Sequence, residues 1–196
     1  MRDFRNANKG QTFEHFIRYA NDRYMMAGEA VVSKIPTEFI PIRNAYGQVV
    51  NCKVEGKSSV DFIGRVGSVP LAMEAKETKI DNIRFDRVED HQAAFLSAYL
   101  GQNEAVCLVL VSFSTKTFYA VPWAFWYVAR DAWKKAQRTG SRKADQITVT
   151  YNGQTWITPG KASVKESELL PEWRVESGGR YGLDYLRAYI KRGTIG

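Results

Sequence analysis

Asp61, Glu74 and Lys76 are the residues of this chain whose types and spacing best suit chemistry. They stand in VDFIGRVGSVPLAMEAKET, residues 60–78. Residues two apart on a strand share a face, roughly 6–7 Å from one another. Glu74 and Lys76 therefore project together if 69–76 is extended. Gly67-Ser68 is a two-residue Gly-X turn of the kind that closes a tight hairpin. It folds 69–76 back beside 60–66, so that Asp61 and Glu74 converge with Lys76 beside them. Leu71, Met73 and Ala75 alternate with Ala72, Glu74 and Lys76, giving one apolar face and one that turns charged at its end. Two such carboxylates suit a hard divalent ion, Mg²⁺ with Mn²⁺ as a substitute. That ion acidifies water and neutralises phosphate charge, and a lysine beside it orients the water or steadies the transition state. The chemistry that fits is phosphodiester hydrolysis. The plain alternative is a solvated strand end.

The elements around this segment follow from periodicity and turn residues. Residues 11–27 carry Phe13, Phe16, Ile17 and Tyr24 at near-helical spacing, with Gly28 as a stop. Residues 30–35 form a strand ended by Pro36. Residues 38–44 and 48–55 are two arms of a hairpin around Tyr46-Gly47. A helix is predicted over 88–100, a buried strand over 104–112, a strand over 117–121 and a helix from Trp123 to Lys135. Residues 136–145 are polar and basic and are expected to form a mobile loop. Beyond 150 the pattern weakens until a last helix over Leu183–Lys191. This order implies an α/β fold with a central mixed sheet flanked by helices.

The chain has 196 residues, 44% hydrophobic and 25% charged, which suits a single globular domain over 1–196. A net charge of +7 and a pI near 9.4 favour a polyanionic partner. No apolar run reaches the roughly 20 residues of a membrane helix, and MRDFRNANKG has no apolar signal region. Cys52 and Cys107 form no CxxC pair and are expected as reduced thiols of a cytoplasmic protein. With two histidines besides, a structural zinc site is not expected.

Asp-x₁₂-Glu-Ala-Lys resembles the PD-(D/E)xK nuclease signature, with Val60 in the proline position. The blocks GQTFEHFIRYANDRY, AVVSKIPT, SSVDFIG, EAKET, DHQAAFL and RYGLDYLRAYI, in that order, resemble the RecU family of Holliday-junction resolvases. The resemblance is strongest over 10–37 and 58–96 and weak over 136–175. It implies a restriction-endonuclease-like core with a protruding β-hairpin stalk inserted at about 38–57. It implies that Asp61, Glu74 and the helical Glu14 bind metal, that Lys76 is the catalytic lysine, and that Gln92 positions the nucleophile or a metal-bound water. Gln92 also has a plainer reading, as a cap or a partner for a buried backbone group. The stalk would carry Arg43, Lys53 and Lys57 toward the junction centre, with Lys34 as a further DNA contact.

The expected reaction is metal-dependent symmetric nicking of four-way junction DNA in recombination and repair, leaving 5′-phosphate and 3′-hydroxyl ends. A two-fold-symmetric junction calls for a homodimer with two matched sites, reading shape and backbone instead of base sequence. A recombinase or a branch-migration helicase is the partner the resemblance implies. The short stretch before Lys9 reads as a trimmed family arm, suiting a phage-encoded copy acting in its host's cytoplasm. Two other readings stand beside it: a fork or flap endonuclease on the same fold, and a non-catalytic junction-binding recombination regulator. Arg130, Lys134, Lys135, Arg138, Arg142 and Lys143 form a basic stretch with Asp131 as its one acid. Arg142 and Lys143 are taken from it as DNA contacts; the alternative is a solvated helix face. His15 and His91 are expected as packed, hydrogen-bonded side chains, and the aromatics between Phe118 and Trp133 as core.

Overall fold

A computed structural model describes residues 13–36, 39–54, 58–102 and 104–193. It opens with α1 (Phe13–Met26), β1 (Ala30–Lys34), β2 (Phe39–Arg43) and β3 (Val49–Val54). Next come β4 (Phe62–Val66), β5 (Val69–Thr78), β6 (Asn82–Arg84) and α2 (Asp90–Leu100). They are followed by β7 (Val106–Phe113), β8 (Thr117–Pro122) and α3 (Trp123–Arg138). The C-terminal part holds β9 (Thr148–Tyr151), β10 (Gln154–Ile157), β11 (Ser163–Lys165) and α4 (Arg187–Gly193).

The centre is a five-stranded sheet in the order β1-β4-β5-β7-β8. It is mixed: β5 and β7 are parallel and every other pairing is antiparallel. The parallel step needs a crossover, and α2 supplies it. Helices cover both faces, which is why β7 reads as an unbroken apolar run. Leu108 and Leu110 pack on the α1 side with Ile17, Tyr24, Met73 and Leu186. Cys107, Val109 and Val111 pack on the other side with Leu96, Phe125 and Trp126. The central α/β architecture is therefore the expected one. The aromatics Phe118, Tyr119, Trp123, Phe125 and Trp126 are core, as expected, whereas Tyr127 lies exposed on the outer side of α3.

Several boundaries differ from the sequence reading, each for a local reason. The strand expected from Val60 begins at Phe62, because Asp61 sits in a bend whose carbonyl accepts the Ile35 N–H at 2.8 Å. β5 runs on to Thr78, since it keeps its register with β7 as far as Phe113. β7 starts at Val106, because Glu104 has φ +63°, outside strand geometry. α3 gains a turn, with Ala136 still on its buried stripe. The last helix starts at Arg187, because Gly182-Leu183 is paired with Ser177-Gly178. His15, expected to pack, is exposed on α1 between the buried Phe13 and Ile17.

The hairpin of β2 and β3 forms its own two-stranded sheet. Gly47 turns it at φ +77°, and Asn44 Oδ1 accepts from the Tyr46 and Gln48 amides. The turn β4–β5 closes at Gly67, φ +56°, with Val66 opposite Val69.

Gly64 on β4 lies against β1 so closely that a Cβ there would overlap the Val31 carbonyl oxygen and stand 2.7 Å from Val32 Cα. Those atoms are backbone and cannot swing aside. Gly64→Ala is therefore expected to cost about 2–3 kcal/mol. Urea unfolding would read this as a lower midpoint at unchanged slope; an unchanged midpoint would contradict it.

Candidate active site

Asp61, Glu74, Lys76 and Gln92 meet on the face of the sheet that α2 covers. Phe62 and Met73 are opposite each other and pack toward α1, so their neighbours Asp61 and Glu74 turn the other way. Glu74 and Lys76 share that face as the strand period requires. α2 then places its first turn over the end of the hairpin.

Each side chain is fastened. Asp61 Oδ2 accepts the Ala75 amide across the hairpin at 2.8 Å. Glu74 is 1% exposed. Its Oε1 accepts from Lys76 Nζ at 2.6 Å and from Gln92 Nε2 at 2.7 Å. Its Oε2 is buried without a hydrogen-bond partner among the described residues. A buried carboxylate oxygen left unpaired is costly, and native sites that keep one commonly hold a ligand there.

Gln92 caps α2 and contacts the carboxylate–lysine pair. Its Oε1 accepts the Glu89 backbone N–H at 2.9 Å, which caps α2, and also faces Lys76 Nζ at 3.4 Å. Its amide nitrogen holds Glu74. One side chain thus ties the helix start to the carboxylate–lysine pair.

Burial pushes the Glu74 carboxyl up to about 7, the nearby Asp61 charge adds to this, and Lys76 opposes it. The sign for stability follows. In the unfolded chain the group ionises near 4.5. Between that value and about 7, the folded state holds more protons than the unfolded one. The metal-free protein should therefore lose stability as pH rises through this window, by roughly 3 kcal/mol in all, and hold level above it. Glu74→Gln should remove that fall. Urea unfolding in a chelator at pH 5 and pH 8 compares the two proteins, and equal pH slopes would contradict the burial argument.

The donor set suits a divalent ion: two carboxylates, hard oxygen donors, with Glu74 Oε2 unpartnered among the described residues. Among the described residues, no three Asp, Glu, His or Cys side chains gather as a metal-holding group. Glu14 stands on α1, which packs the opposite face of the sheet, and its carboxylate pairs with Lys34 at the end of β1. Both side chains of that pair are partly exposed.

The remaining basic residues divide. Arg43 is exposed beside the hairpin tip, its guanidinium donating to the Gly47 carbonyl at 2.8 Å. Lys53 lies on β3, with its side chain outside the described set, and Lys57 falls outside the described residues altogether. Arg142 and Lys143 are exposed after α3. The basic stretch is less free than its sequence suggests. Lys135 pairs with Asp131, and Lys134 and Arg130 both pair with Asp90 at the start of α2.

Arg130 is the residue that sequence reasoning undervalued. It is 6% exposed, and its Nε donates to the Val88 carbonyl at 2.9 Å. It lies four residues after Trp126, on the buried stripe of α3, and that spacing was the available signal. With the indole of Trp126 donating to Phe85 O at 3.2 Å, it secures the approach to α2 and hence Gln92. Cys107 is free and buried, with burial pushing its thiol up to about 12, so it is inert.

Three comparisons show what the chain is similar to. The family model RecU, Recombination protein U, matches residues 8–188. Proteins named Holliday junction resolvase RecU in Streptococcus pneumoniae are similar: 33% identical over 116 residues in strain Hungary19A-6, and 31% in serotype 19F strain G54. Each match covers 56% of this chain and 58% of the relative, so the chain spans under two thirds of those relatives' length. Among solved structures, Archaeoglobus fulgidus Hjc, a Holliday junction resolvase, is matched at TM-score 0.35 and 12% identity, over 56% of this chain and 78% of that one.

Proposed function

Because the chain belongs to the RecU family, we propose that it is a metal-dependent endonuclease that resolves four-way DNA junctions by paired symmetric nicks. The observation that carries this is Glu74: a buried carboxylate with one oxygen unpartnered among the described residues, Lys76 on the other, and Asp61 across the hairpin. A binding protein has no physical need for that arrangement.

Asp61 and Glu74 would hold Mg²⁺, or Mn²⁺ in its place. When bound, such an ion acidifies water and neutralises charge on the scissile phosphate. Lys76, largely shielded and already placed against Glu74, steadies the negative charge that develops on the phosphate oxygens. Gln92 holds Glu74 and Lys76 in one orientation through its amide. Glu14 joins the carboxylates only by leaving Lys34, so a DNA phosphate on Lys34 would free it.

The segment 38–57 serves as a stalk entering the junction centre, with Arg43, Lys53 and Lys57 along it. Arg142 and Lys143 extend the cationic track beyond α3. The whole chain, 1–196, acts as one nuclease domain, and two copies form the two-fold dimer that a symmetric junction requires. The site of action is the cytoplasm, alongside a recombinase or branch-migration helicase. No helix among the described residues is long and apolar enough to cross a membrane.

Cleavage rates on four-way, three-way and linear DNA of one sequence test the specificity. Preference for the four-way substrate supports the resolvase reading. Preference for three-way or flapped DNA would replace it with a fork endonuclease.

A further inference from the structure

The side chain of His91 bridges two parts of the protein that the proposed reaction must keep in register. Its Nε2 lies 3.1 Å from the carbonyl of Ser58, and a carbonyl accepts, so Nε2–H is the donor. Its Nδ1 faces the Glu89 carboxylate at 3.7 Å. Ser58 is three residues before Asp61, and Glu89 is the N-cap of α2. Next along α2 is Gln92, which holds Glu74 and Lys76.

The segment that His91 grips is also the return path from the β2–β3 hairpin. β2 and β3 pair with each other and, among the described residues, with no other strand. On the C-terminal side of the hairpin, Ser58, Ser59 and Val60 are the residues that precede Asp61. Ser58 Oγ donates to the Val60 carbonyl at 2.5 Å, and Val60 is fully buried. These three residues lead directly into Asp61. His91 is the side chain that ties their first carbonyl to the helix carrying Gln92.

We propose that His91 is a positioning residue, holding Asp61 in register with Glu74 and Gln92 by clamping the segment that leads into Asp61 to the start of α2. The proposal rests on the reading of Asp61 and Glu74 as the metal pair. It acts through them: His91 touches neither phosphate nor metal. Residues that orient ligands from behind typically matter by roughly 10- to 100-fold in metal affinity or activity.

The test compares His91→Leu, which keeps bulk and removes the donor, with His91→Gln, whose amide can donate to the Ser58 carbonyl. Three readouts are taken: Mn²⁺ affinity of the DNA-free protein by calorimetry, junction affinity without divalent metal, and the single-turnover cutting rate at saturating junction with Mg²⁺. His91→Leu should weaken Mn²⁺ binding and slow cutting by roughly 10- to 100-fold while junction affinity stays within about threefold. His91→Gln should recover most of both losses. Thermal midpoints of the two variants show whether folding is shared. A His91→Leu protein with wild-type Mn²⁺ affinity overturns the proposal. So does an equal loss in both variants, which would make ring volume the cause. A wild type that binds Mn²⁺ and cuts nothing would defeat the resolvase reading instead, and the Mn²⁺ comparison would still decide this one.

Discussion

Asp61→Asn should abolish junction cutting, by on the order of 10³-fold or more, about 4 kcal/mol of barrier, while junction binding stays within a few-fold. The asymmetry comes from what the substitution keeps. An asparagine oxygen can still accept the Ala75 amide, so the hairpin stays closed. What disappears is the charge that would hold the metal. The Asp61 charge is also one of the influences raising the Glu74 carboxyl. Its removal therefore eases Glu74 toward ionisation, and the variant should be as stable as wild type or slightly more so. Gel-shift affinity in a chelator and single-turnover cutting with Mg²⁺ separate the two effects. Parallel loss of binding and cutting would mean that Asp61 shapes the DNA surface and does not serve the chemistry.

Lys76→Met should slow cutting by roughly 10²- to 10³-fold, the range seen when one positioned donor to a developing oxyanion is removed. The ammonium stands 2.6 Å from Glu74 and 3.4 Å from Gln92, with its side chain 13% exposed. A flexible methionine fills similar space, so the fold should persist. The loss has a second component. Lys76 is the group that lowers the Glu74 carboxyl, and without it Glu74 ionises at still higher pH. The cutting rate of Lys76→Met should therefore recover in part as pH rises above 7, more steeply than that of wild type. Lys76→Arg should not restore activity, because a planar guanidinium does not fit the ammonium's place between a carboxylate and an amide. A flat pH profile for Lys76→Met would contradict this coupling.

The chemistry-bearing hairpin was legible because its determinants are local. The Gly67-Ser68 turn sets the register, and alternation sets the faces. The same logic exposed β7, whose unbroken apolar run announces a strand covered on both sides. Gln92 was legible as a cap, and the structure shows that capping bond beside its contacts with Glu74 and Lys76. Less was visible where long-range contacts decide. Nothing near Glu14 in sequence announces its pairing with Lys34, 20 residues away. The burial of Arg130 depends on Val88 and Asp90, about 40 residues earlier. The β9–β10 hairpin was within the sequence's reach. Asn152-Gly153 has positive φ at both positions, +50° and +77°, and Asn-Gly is a strong signal for such turns. Pairs such as β6 with β11 are three residues long and far apart in the chain, too short for any period to mark.

The most direct test of a metal-dependent resolvase is strand-by-strand mapping of a four-way junction incubated with the wild-type protein and Mg²⁺, each strand labelled in turn. Two nicks at symmetric positions on opposing strands, each leaving a 5′-phosphate, with none in chelator and few in linear duplex, are the expected result. Tight junction binding with no nick in either Mg²⁺ or Mn²⁺ would contradict it and leave a junction-binding protein in its place.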